Sequence, residues 1–86
     1  MDQKADDIEA KVIGIVKEML VKDEVRPEQK FASLGADEID MMAIVIELED
    51  EYSISIDDSM LDTRKTTKDL IDYIRRAITN AAIQNK

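Results

Sequence analysis

The chain has no cysteine and no histidine. Disulfides, thiolate metal sites and cysteine nucleophiles are excluded, and the commonest general base and metal ligand is missing as well. No catalytic residue is expected. Aromatic residues make up only 3% of the composition, and there are two glycines and one proline. So few breakers favour helices over a many-turned β fold, with a core built from Ile, Val, Leu, Met and Ala. No apolar run approaches the roughly 18 residues of a membrane span, and the polar opening Met1-Asp2-Gln3-Lys4 carries no signal-peptide pattern. The expectation is a cytoplasmic protein with no stable membrane insertion.

What the chain does have is acid. Its 86 residues suit one domain, 1–86, and its net charge of −8 argues against nucleic acid and anionic membrane surfaces. Basic protein partners fit better, and a monomer is expected. The charge is unevenly placed: between Phe31 and Thr63 stand ten acids and no Lys or Arg, while the remainder holds ten acids against twelve bases. A charge run is often only a solvated face.

Hydrophobic spacing predicts an all-α chain. Ala5, Ile8, Val12, Ile15, Val16 and Met19 fall on one stripe of a first helix over about 4–21, with Asp6, Asp7 and Glu9 near its positive end. From Lys22 to Gly35 the pattern lapses into a long connection broken by Pro27, with Val25, Phe31 and Leu34 as its anchors. A second helix is expected after Asp37, with Asp37 and Asp40 as a capping-box-like pair. Its core face would hold Met41, Met42, Ile44, Val45, Leu48 and Tyr52. Ile39 and Ile46 turn outward within a border of acids. Ile54 and Ile56 read as a buried connection, 57–61 as one short helical turn with Met60 and Leu61 inward. The last helix starts near Thr66 or Thr67, capped by Thr66 with Asp69. Leu70, Ile71, Ile74, Ala77, Ile78 and Ala81 form its stripe, and 80–86 reads as a frayed tail.

The stretch Leu34-Gly35-Ala36-Asp37-Glu38-Ile39-Asp40 resembles the L-G-A-D-S-L-D signature of acyl carrier proteins. Three further segments agree in the right order: Ile46-Glu47-Leu48-Glu49-Asp50-Glu51-Tyr52, the Ile54-x-Ile56 spacing, and Thr66-Thr67-Lys68-Asp69-Leu70-Ile71-Asp72-Tyr73-Ile74. The similarity covers about 31–78, and the first helix fits by pattern. The resemblance implies a small bundle of three long helices plus one short helix, with a long loop between helices one and two. It also implies a serine carrying 4'-phosphopantetheine through a phosphodiester, at the position held here by Glu38. A carboxylate offers no hydroxyl for that bond, so no cofactor is expected on this chain. Ser33-Leu34 copies a Ser-Leu pair only superficially, because Ala32 precedes it and it lies five residues early.

By resemblance, Asp37, Glu38, Asp40, Ile46, Glu49 and Asp50 match the surface that docks onto basic patches of acyl-chain synthesis or transfer enzymes. Ala43 departs from the pattern, since carriers often place a glutamate there. Glu38 has three readings: an acid suited to a helix's first turn, a partial imitation of the phosphodiester's charge, or a replacement of serine in a working carrier. Three functions stand open: a non-carrying homologue of fatty-acid, polyketide or specialised lipid synthesis that acts by docking, a Ser-to-Glu variant of a working carrier, and a small bundle whose Met- and Ile-rich core binds lipid non-covalently. Paired acids such as Glu47 and Asp50 lack a loop that would converge several oxygens, so no metal site is expected.

Overall fold

The computed structural model describes the backbone of residues 3–84 and the side chains of residues 7–80. Three long helices, α1 (Gln3–Leu20), α2 (Glu38–Tyr52) and α3 (Thr67–Gln84), carry the fold. The described residues contain no strand, only one isolated bridge between Lys30 and Thr66. α1 packs against both α2 and α3. Ile8, Tyr52 and Ile78 line one dent, so the start of α1 meets the ends of the other two and runs antiparallel to both.

The apolar stripes meet in one core. Val12, Val16, Phe31, Met41, Ile44, Leu48, Leu70 and Ile74 are fully buried, drawn from all three helices and the long connection. Val25, Phe31 and Leu34 anchor that connection, as expected of the apolar residues in a polar stretch. Its backbone is also tied to the start of α3: Phe31 N–H donates to Lys65 O (2.9 Å), Ala32 N–H to Thr63 O (2.8 Å) and Lys68 N–H to Pro27 O (2.8 Å). A buried loop needs such partners for its polar backbone.

Several sequence expectations are corrected. The connection contains a 3₁₀ turn at Phe31–Leu34, which four residues are too few to announce by periodicity. The short fourth helix is only a 3₁₀ turn, Asp58–Met60, with Met60 buried and Leu61 half-buried. Ile54 is half-buried, and Ile56 is buried. Met42 lies outside the core, 47% exposed, because it sits at the margin of the stripe that α1 and α3 cover. The expected frayed tail is helical as far as Gln84, since no Gly or Pro interrupts it; residues 85–86 lie outside the described ones.

α1 stops one residue earlier than its pattern. Lys22 N–H reaches Lys17 O (2.9 Å) and Val21 N–H reaches Glu18 O (3.4 Å), the paired bonds of a Schellman ending. That ending places Val21 at φ 54°, a left-handed conformation that suits glycine, and leaves its side chain 88% exposed. Val21→Gly should therefore raise stability by about 1 kcal/mol in a urea titration, because it relieves strain and removes no packing. A loss of stability would show that Val21 contributes a contact the strain argument ignores.

Candidate functional site

The segment 34–38 builds one end of the molecule. Gly35 ends the first 3₁₀ turn at φ 83°, its N–H bonded to Ala32 O, and a Cβ there would meet nothing within 4 Å. Glycine serves here for its backbone freedom, not for space. Ala36 N–H then donates to Phe31 O (3.1 Å), aiming the chain into α2. Asp37 is the N-cap: its carboxylate accepts from Asp40 N–H (2.9 Å), and the Asp40 carboxylate accepts from Asp37 N–H (3.0 Å). The capping box anticipated from the sequence is complete.

Glu38 is the first residue of α2. It is exposed, and among the described residues its carboxylate has neither a hydrogen bond nor an ion pair. The positive end of the helix favours its charge. With Asp37 it forms one wall of an open cleft of about 550 Å³, whose other wall comprises Asp58, Ser59, Asp62, Thr63 and Arg64. The Arg64 guanidinium grips Asp62 through Nε (3.1 Å) and Nη2 (3.0 Å). Hydrogen bonds from Arg64 hold the Asp62 carboxyl below its ordinary range, and the Ser59 hydroxyl and N–H do the same for Asp57. Both contributions are present above the unfolded pKa near 3.9 and are lost as pH falls through the lower folded values.

Along α2 the outer face is apolar in the middle and acidic at its margins. Ile39 is 75% exposed and Ile46 is 60% exposed, with Met42 between them. Met42, Val45 and Ile46 border a dent of about 180 Å³ whose opposite side is Ile56, Asp58 and Leu61. Glu49 lies at its edge, and its carboxylate accepts from Ile56 N–H (2.8 Å). From α3, the Tyr73 hydroxyl accepts from Asp57 N–H (2.9 Å) and donates to Ser55 O (3.3 Å). Segment 54–57 is thus hung between α2 and α3.

Of the residues singled out from sequence, Asp37 and Glu38 share the cleft wall, and Asp37 and Asp40 hold each other's backbone. Ile46 is an exposed apolar position. Glu49 is committed to the fold, which makes it a brace as well as a surface acid. Asp50 is exposed and unpaired among the described residues. Neither Met42 on the outer face nor Arg64 on the cleft was anticipated. Arg64 follows the acidic run directly, and that is its only signal in the sequence. Among the described residues, no group of three or more His, Cys, Asp or Glu could hold a metal ion. No helix among them is long and apolar enough to cross a membrane.

The family described as "Phosphopantetheine attachment site" matches residues 10–74. "Acyl carrier protein 1, chloroplastic" of Cuphea lanceolata is 40% identical over 70 residues, 78% of this chain and 50% of that protein. The acyl carrier protein of Chlorobium phaeobacteroides is 42% identical over 62 residues, 70% of this chain and 80% of that one. The chain thus spans about half the length of the plant protein and four-fifths of the bacterial one. The crystal structure of an acyl carrier protein from Thermotoga maritima superposes with a TM-score of 0.76 at 29% identity, covering 94% of this chain and 98% of that one.

Proposed function

This chain belongs to the acyl carrier protein family, and we propose that it docks onto carrier-dependent enzymes without carrying an acyl chain itself. Members of the family are carriers, not enzymes. One observation supports the non-carrying reading above the others: the first residue of α2 is a carboxylate. A phosphodiester to 4'-phosphopantetheine requires a hydroxyl oxygen, and Glu38 has none. The hydroxyls across the cleft belong to Ser59 and Thr63, and neither stands in α2. The residues present do not fit a covalently held arm.

The docking half of the reading rests on shape and charge. Ile39, Met42 and Ile46 expose an apolar strip on α2, bordered by Asp37, Glu38, Asp40, Glu49 and Asp50. A basic, partly apolar patch on an acyl-chain synthesis or transfer enzyme complements it. Exposed ion pairs contribute little energy one by one, so the acids act mainly on encounter rate and selectivity.

Incubation of the native chain with coenzyme A and a phosphopantetheinyl transferase, read by intact mass, should leave the mass unchanged. A gain of one phosphopantetheine would overturn the reading.

A further inference from the structure

The sulfur of this chain is all thioether. It has five methionines and no cysteine, so a two-electron oxidant meets no thiol that would consume it first. Four of the five have described side chains, and the fold shields three of them. Met41 is fully buried, Met60 is buried in the second 3₁₀ turn, and Met19 packs half-buried against the core. Met42 is the open one, with nearly half its surface in solvent. Met41 and Met42 are neighbours in sequence, but about 100° of helix rotation turns one into the core and the other to its margin.

The setting of Met42 gives that exposure a consequence. It follows Ile39 by three residues and precedes Ile46 by four, the spacings at which helix side chains are neighbours. Met42 is therefore the middle of the apolar strip. With Val45 and Ile46 it also borders the dent whose far side holds Ile56 and Leu61. A flexible thioether suits a strip that must adapt to an apolar surface. Oxidation turns it into a sulfoxide, which is polar and accepts hydrogen bonds. Under an apolar contact that acceptor would have no donor, and burying it unpaired is costly.

We propose that Met42 is an oxidation site at which a sulfoxide switches off the apolar strip of α2. The proposal rests on the docking reading above and names a regulator of that face. In the step, hydrogen peroxide gives one oxygen atom to the Met42 sulfur. A sulfur lone pair forms the S–O bond, the O–O bond breaks, and the second oxygen leaves as water after proton transfer. The thioether is oxidised and the peroxide is reduced. A sulfoxide reductase reverses the step with two electrons and two protons from a pair of thiols, releasing the oxygen as water. Met42 lies outside the core, so the packed interior is unchanged by the sulfoxide. The new group carries no net charge, so the acidic border is unchanged as well.

Two measurements test this. For the site, the native chain is treated with hydrogen peroxide, quenched with catalase and mapped by peptide fragmentation, which separates Met42 from Met41. Met42 should gain one oxygen at least about fivefold faster than Met19, Met41 or Met60, and the singly oxidised chain should melt like the native one. Met1, outside the described side chains, is counted separately. Equal rates at Met42 and a shielded methionine, or a lower melting temperature after oxidation of Met42, would overturn the site. For the switch, a Glu38→Ser copy is labelled by a phosphopantetheinyl transferase with fluorescent coenzyme A before and after the same treatment. Labelling should slow about fivefold after oxidation, by a factor that added salt leaves alone because no charge has changed. A Glu38→Ser copy that also carries Met42→Leu, compared with itself, should keep its rate through the treatment. An unchanged rate after Met42 is oxidised, or an equal loss in the Met42→Leu copy, would overturn the switch. If the untreated Glu38→Ser copy takes no label, the docking reading fails and the switch with it, while the site stands or falls on the peptide map.

Discussion

Replacing Phe31 with alanine should destabilise the domain by about 3–5 kcal/mol, the usual cost of deleting a fully buried phenyl ring. A domain of this size has a total stability of about 4–13 kcal/mol, so much of it would be lost. Phe31 is the only phenylalanine in the chain and is completely buried. Its backbone adds to the effect: its N–H holds Lys65 O, and its carbonyl accepts from Ala36 N–H. Losing the ring loosens the connection between α1 and α2 and, through Ala36, the entry to α2. Urea unfolding followed by circular dichroism measures this directly. Phe31→Leu, which fills most of the same space, should cost less than about 1.5 kcal/mol. A loss below about 1 kcal/mol for the alanine variant would show that the connection is not held by this residue.

Exchanging Glu38 for serine should turn the chain into an acceptor. With coenzyme A and a phosphopantetheinyl transferase, Glu38→Ser is expected to gain one phosphopantetheine by intact mass, while the native chain gains none. The change should barely disturb the fold. Glu38 is exposed and makes no described contact, and only its favourable placement at the helix start is lost, about 0.3–1 kcal/mol. Asp37 and Asp40 hold the first turn through their own side chains and need nothing from residue 38. Refusal of the arm by Glu38→Ser, with a transferase that loads a serine-bearing carrier, would mean that more than one residue separates this chain from a carrier.

Periodicity made much of the fold legible. The three helices and both capping boxes, Asp37 with Asp40 and Thr66 with Asp69, follow from residue spacing, and the anchors Val25, Phe31 and Leu34 from being apolar in a polar connection. Such features are local or repeat at a fixed interval. Met42 was misplaced because an angular count shows which residues share a face but not how wide a stripe the neighbouring helices cover. Glu49 carries no sequence sign of its role, since its partner is the backbone N–H of Ile56, seven residues away. Tyr73 is harder still, bonding to residues 16 and 18 positions earlier. Thr67 gives a further case: it is fully buried and among the described residues its hydroxyl has no hydrogen-bond partner, so its place as a helix starter conceals an apolar setting.

The reciprocal grip of Asp37 and Asp40 has a consequence for descent. Because the frame around residue 38 sustains itself, selection can rewrite that one letter without repairing anything nearby. The chemistry at residue 38 can therefore change while the shape of that end of the molecule stays as it is.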